Sequence, residues 1–88
     1  MGYHVHLHPR SLSFLESVDA DLRGRIRDRL LTLATDPKIG TRLKHSEFWR
    51  LRIGDYRAIY EIDHEIERVL ILFLGHRRDV YDDFSRLL

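Results

Sequence analysis

Phe48-Trp49-Arg50-Leu51-Arg52-Ile53-Gly54-Asp55-Tyr56-Arg57-Ala58-Ile59-Tyr60-Glu61-Ile62 is the stretch that decides how this 88-residue chain folds. Trp49, Leu51 and Ile53 alternate with Arg50 and Arg52, the period-two pattern of a strand with one buried face. Gly54-Asp55 reads as a tight turn, in the reverse order of the strongest hairpin dipeptide. Past the turn, Tyr56, Ala58, Tyr60 and Ile62 face one way and Arg57, Ile59 and Glu61 the other. The stretch is therefore a strand, a turn and a second strand. Asp63 to Glu67 turns the chain again, and Arg68 to Leu74 forms a third strand. Its unbroken apolar run predicts burial on both faces and a central place in the sheet.

Working outward, Tyr3 to His8 alternates apolar and polar residues and ends at Pro9, which predicts a first strand. It is expected to flank the central strand on the side away from Tyr56–Ile62. Ser11 or Ser13 can cap a short helix, Ser13 and Glu16 forming a capping box, with Phe14, Leu15 and Val18 on its apolar side. Asp19 caps a longer helix on which Leu22, Ile26, Leu30 and Leu33 recur at helical spacing. Asp36-Pro37 stops it, and Lys38 to Ser46 is expected to be a loop. After Gly75 the chain can form a short helix over Tyr81 to Leu88. The order is β-α-α-β-β-β with a short C-terminal helix. It specifies an α+β fold: a helical hairpin packed on a mainly antiparallel four-stranded sheet, with residues 1–88 as one domain.

Hydrophobic content of 43% and charged content of 33% suit a globular chain. The longest strong apolar run, Val69 to Leu74, is far short of the roughly 20 residues of a membrane helix. Histidines at 4, 6 and 8 interrupt any signal-peptide core, and a cytoplasmic location is expected. With no cysteine there is no disulfide framework and no thiolate zinc site. The formal net charge is only +1, but thirteen of the 15 basic residues are arginine, the side chain that grips phosphate bidentately. Lys38, Arg42, Lys44, Arg50, Arg52 and Arg57 meet only Glu47 and Asp55 between positions 38 and 60. A local basic stripe on a near-neutral chain fits an anionic partner held at one face.

Three groups could carry chemistry. Arg50 and Arg52 share one strand face about 6–7 Å apart, close to the spacing of successive phosphates on a single strand, and Arg57 can join them across the turn. Gly75-His76-Arg77-Arg78-Asp79-Val80-Tyr81 ends the central strand in a charged, aromatic segment. Arg77 or Arg78 could neutralise a phosphorane-like transition state, and Tyr81 could stack on a base or donate its hydroxyl. His76 has a pKa suited to acid–base work, though taken alone it reads as a surface histidine. His4, His6 and His8 could ligate zinc, but their spacing on a flat strand splays them, so a solvated face is the better reading and no metal or cofactor is expected. No nucleophile motif, phosphate-binding glycine loop or carboxylate pair is present. Arg, Tyr, His and Glu47 make up the palette for transphosphorylation of RNA, where the 2′-hydroxyl supplies the nucleophile.

Trp49 to Tyr60, followed by Gly75-His76-Arg77-Arg78-Asp79-Val80-Tyr81, resembles the RelE/ParE toxin superfamily. Length, element order and the Asp36-Pro37 stop match as well, so the resemblance spans nearly the whole chain. It implies a toxin of a type II toxin–antitoxin system. RelE-like members act as mRNA interferases in the ribosomal A site and leave a 2′,3′-cyclic phosphate; ParE-like members poison DNA gyrase. By this resemblance Arg50, Arg52, Arg57, Arg77 and Tyr81 are the catalytic residues, and Lys44, His76 and Arg78 are placed as RNA-binding. All five catalytic positions are filled, which favours a ribosome-dependent endoribonuclease over a gyrase inhibitor or an inactive RNA-binding member. Implied partners are a RelB-like antitoxin, the ribosome and mRNA, with no membrane.

Two departures stand out. Arg50 and Arg52 occupy positions where well-known members carry lysine, and arginine stays protonated at neutral pH. Neither can be the general base, so that role is left to Tyr81, His76, Glu47 or the ribosome. The segment between Arg77 and Tyr81 is also shorter than in the family.

Overall fold

A computed structural model describes residues 2–85, without the side chains of 81–83. Its first strand, β1 (His4–Leu7), leads into helices α1 (Pro9–Ser17) and α2 (Ala20–Leu31) and a 3-10 turn at Thr32–Ala34. Strands β2 (Thr41–Arg42), β3 (Phe48–Ile53), β4 (Tyr56–Asp63) and β5 (Arg68–His76) follow, and α3 (Arg77–Ser85) closes the described chain. The sheet order is β1-β5-β4-β3-β2; β1 runs parallel to β5 and the other pairs are antiparallel. The α+β fold and the central place of the apolar strand are as the pattern predicts.

Four details differ from the sequence expectation. The sheet has a fifth strand, because Thr41 and Arg42 pair with Arg50 and Trp49 inside the expected loop. Helix α1 starts earlier, at Pro9, whose missing N–H costs nothing at a first helical position. Its cap is His8, whose Nδ1 accepts from the Arg10 amide at 3.1 Å. Ser11 is fully buried instead, donating to the Ile71 carbonyl at 3.0 Å. The last strand runs on through Gly75 to His76, and α3 begins at Arg77 instead of Tyr81. The remainder of the expected terminal helix, Arg86 to Leu88, lies outside the described residues.

Asp19 caps α2 as its position predicts, Oδ1 accepting from the Leu22 amide at 2.9 Å. Arg23 serves the preceding helix: its guanidinium donates to the carbonyls of Leu15, Glu16 and Val18 at 3.0, 3.1 and 2.8 Å. Those are the orphan acceptors at the end of α1.

A bulge sets which β5 side chains face which way. Ile59 pairs with Phe73 but Tyr60 pairs with Ile71, so Leu72 is an extra residue on β5. Val69 and Ile71 face the helices; after the bulge Leu74 does, while Leu72 and Phe73 join the opposite face. The helix-side core unites Leu15, Ile26, Leu30 and Leu33 with Leu51, Ala58, Tyr60, Val69 and Ile71. On the opposite face Ile59, Phe73, Val80 and Phe84 form a smaller cluster under α3. Phe84 meets Phe48 and Phe73 edge-on there, with ring centroids 5.3 and 6.0 Å apart. Among the described residues no helix is long and apolar enough to cross a membrane.

Candidate functional site

Beside that smaller cluster the sheet stays open. A cavity of about 790 Å³ is lined by Arg29, Arg50, Arg52, Arg57, Arg77 and Arg78, with Ile39, Gly40, Thr41 and Leu51 completing its wall. None of its described lining residues is acidic. Six arginines from α2, β3, β4 and α3 therefore line one concavity, in a chain whose formal net charge is only +1. Like charges this close repel, and an anion entering the groove would relieve that repulsion.

Strand register and one turn create the convergence. Arg52 pairs directly with Arg57 across β3 and β4, and such like-charged cross-strand pairs are unfavourable. Arg57 is held where it is by the turn: its Nη1 donates to the Gly54 carbonyl at 2.7 Å and the Tyr56 carbonyl at 2.8 Å. Gly54 adopts a φ of 59°, the left-handed region that glycine enters without a Cβ penalty. The same turn anchors α3, because the Asp55 carbonyl accepts from the Arg77 amide at 2.9 Å. Gly54-Asp55 thus positions Arg57 and the first residue of α3 together. Arg77 and Arg78 lie at the positive end of that helix, where cations are disfavoured and anions stabilised by about 0.3–1 kcal/mol each.

The other wall rests on Tyr60, a fully buried phenol. Its hydroxyl donates to the Pro37 carbonyl at 2.8 Å and accepts from the Gly40 amide at 3.2 Å, tying the 37–40 segment to the sheet. Burial pushes its pKa up to about 12, with Asp36 adding to the rise and the Gly40 amide and Arg29 opposing it. A Cβ on Gly40 would collide with the Arg50 carbonyl and the Tyr60 hydroxyl, so this wall needs glycine. Strand β2 pairs with β3 only at Trp49 and Arg50, which leaves the β3 edge at Arg52 without a strand partner. Arg29 reaches that edge from the last turn of α2, Nε donating to the Arg52 carbonyl at 3.4 Å.

Arg50, Arg52, Arg57, Arg77 and Arg78, named from the sequence, all line the groove. Lys44 and His76 are not among its lining residues. Lys44 is exposed in the turn before β3. His76 packs its ring against Tyr56 with centroids 5.8 Å apart, and its Nδ1 accepts from the Arg78 amide at 3.4 Å. It shapes the start of α3. Glu47 lines separate concavities with Glu61 and His64, at the end of β3 and β4 remote from Gly54-Asp55. Tyr81 belongs to α3, but its side chain is outside the described residues. Arg29 went unnoticed in the sequence, where it reads only as a favourable cation near a helix C-terminus.

The histidines of β1 do not act as a set: His4 and His6 are exposed strand residues, while His8 caps α1. Among the described residues no group of three His, Cys, Asp or Glu side chains could hold a metal ion. In chemical terms the groove offers a set of arginines suited to an anion, and its described lining residues include no histidine, carboxylate or other candidate general base.

Residues 5–81 match the family described as ParE toxin of type II toxin–antitoxin system, parDE. No curated protein matches significantly. Among solved structures, the chain is similar to one in the toxin–antitoxin complex RelBE2 of Mycobacterium tuberculosis, at 25% identity and a TM-score of 0.77, over 88% of this chain and 100% of that one. It is similar to one in the archaeal RelE–RelB complex of Pyrococcus horikoshii, at 26% identity and a TM-score of 0.74, over 88% and 97%. A mutant E. coli RelE in the free state shares the fold over the full length of both chains, with 21% identity and a TM-score of 0.79.

Proposed function

The chain belongs to the ParE toxin family of type II toxin–antitoxin systems, within the RelE/ParE superfamily, and from its arginine-lined groove and its likeness to chains of RelB–RelE complexes we propose that it is a ribosome-dependent endoribonuclease. The observation that carries this reading is the convergence of six arginines, with no acidic residue among the described lining residues, on one open groove. Messenger RNA in the ribosomal A site is the substrate. The 2′-hydroxyl of one nucleotide attacks the adjacent phosphorus, a 2′,3′-cyclic phosphate forms, and the 5′-oxygen of the next nucleotide leaves with a proton. Arg57 and Arg77, brought together by one turn, neutralise the negative charge that builds on the phosphorane. Arg50, Arg52 and Arg78 hold the flanking backbone.

The proton of the attacking hydroxyl needs an acceptor. Neither His76 nor Glu47 is among the groove's lining residues, which favours Tyr81 or the ribosome as that acceptor. A RelB-like antitoxin is the expected partner, by likeness to the RelB–RelE complexes, and an acidic segment of it would complement the groove.

Expression followed by mapping of mRNA 5′ ends against the reading frame tests the reading. Cuts within codons, absent with Arg57→Ala or Arg77→Ala, are expected; intact mRNA during growth arrest would overturn it. The parDE description of the matching family favours one second reading, a gyrase inhibitor without nuclease activity. Its signature is a DNA-damage response with mRNA left whole.

A further inference from the structure

Arg29 differs from the other groove arginines in origin. It comes from α2, which packs on the opposite face of the sheet, and it reaches the groove at the β3 edge that β2, paired no further than Arg50, leaves open. The one hydrogen bond its side chain makes among the described residues is the 3.4 Å contact from Nε to the Arg52 carbonyl, which is long for a bond of this kind. The Nη amino groups have no described acceptor, and no described carboxylate lies within ion-pair distance. Capping a carbonyl needs no charge, whereas adding a sixth guanidinium to five others raises their mutual repulsion. A ligand that brings negative charge reverses the sign of that cost.

We propose that Arg29 is a phosphate-binding residue of this groove, holding the backbone phosphate beside the scissile one where a single RNA strand leaves the sheet face over the β3 edge. The inference rests on the RNA reading above and adds to it a wall that the family motif does not contain. Arg52 faces the groove with its side chain while its carbonyl anchors Arg29. The two guanidiniums therefore follow one another around the edge, as successive phosphates of a bending strand would require.

Binding of the purified chain to a fluorescent, 2′-O-methylated single-stranded oligoribonucleotide, which cannot be cleaved, tests this across a salt series. Arg29→Ala should weaken binding roughly 5- to 10-fold and reduce the slope of log K against log salt by about 0.7, the value for one phosphate on a single strand. Arg29→Lys keeps the charge and should restore most of the slope. Arg29→Gln can still donate to the Arg52 carbonyl but is neutral, so it should behave like Arg29→Ala. Arg27→Ala, an exposed α2 arginine beside Asp28 outside the groove lining, should match the unaltered chain. Restoration by Gln would make Arg29 a structural cap and overturn the proposal. So would an unchanged Arg29→Ala slope where Arg57→Ala weakens binding. If the unaltered chain does not bind the oligonucleotide, this inference is overturned; if it also leaves mRNA uncut, the RNA reading fails with it.

Discussion

The two faces of the sheet, built from the same strands by alternate residues, are arranged for opposite ends. On the helix side, Leu51, Ala58 and Tyr60 meet Ile26, Leu30 and Leu33, every one of them almost wholly buried. The buried hydroxyls there are satisfied: the Tyr60 hydroxyl is hydrogen-bonded on both sides and the Ser11 hydroxyl donates to the Ile71 carbonyl. On the other side the apolar residues stop at Ile59 and Phe73 under α3, and the space beyond is left to arginines. One face gains stability by excluding water; the other keeps charges together that the fold alone would separate. A small domain can hold such a groove because the opposite face carries the stability.

Breaking each face should therefore disturb a different property. The largest effect expected is on activity: Arg57→Ala or Arg77→Ala should lower mRNA cleavage by roughly 10²–10³-fold, the scale for losing one charge-stabilising donor. Thermal unfolding of these variants should change little, by about 0.5 kcal/mol, because they relieve repulsion as well as remove contacts. Loss of folding in either variant would erase the distinction between the faces. Next is Ile26→Ala on the helix side, whose side chain is fully enclosed. It should cost about 2–5 kcal/mol in denaturant unfolding, and the folded fraction should retain its RNA affinity.

Tyr60→Phe sharpens the comparison, since this residue joins the buried face to the groove wall. Removing its hydroxyl leaves the Pro37 carbonyl and Gly40 amide unpaired, at about 1–3 kcal/mol. The pH dependence follows from the raised pKa. The folded state keeps the phenol protonated up to about pH 12, whereas the unfolded chain releases that proton near pH 10. The stabilisation is thus complete below pH 10 and is lost as pH rises toward 12, at roughly 1.4 kcal/mol per pH unit. Tyr60→Phe should flatten that part of a stability–pH curve; an equally steep decline in the variant would assign it to other groups.

Local periodicity carried the reading of the sheet a long way. Trp49, Leu51 and Ile53 alternate on one strand, Tyr56, Ala58 and Tyr60 on the next, and Val69–Leu74 is apolar throughout. Each pattern is a property of neighbouring residues, so strand identity, the turn at Gly54-Asp55 and the central place of β5 were legible without a structure. The Arg50, Arg52 and Arg57 set was legible for the same reason, as alternation puts those side chains on the face opposite the core. The start of α1 was misplaced because the Ser13–Glu16 spacing competed with Pro9, and what engages Ser11 is a carbonyl sixty residues away.

Sequence by itself thus determined the α+β architecture, the strands and an arginine-bearing sheet face, since these follow from side-chain period and composition. Only the tertiary structure decided that β2 pairs with β3 no further than Arg50, that Leu72 bulges and that Arg29 comes around the edge from α2. It also decided that His76 serves the start of α3 and does not line the groove. Each of these depends on where distant segments meet in space, and no local pattern encodes such a meeting.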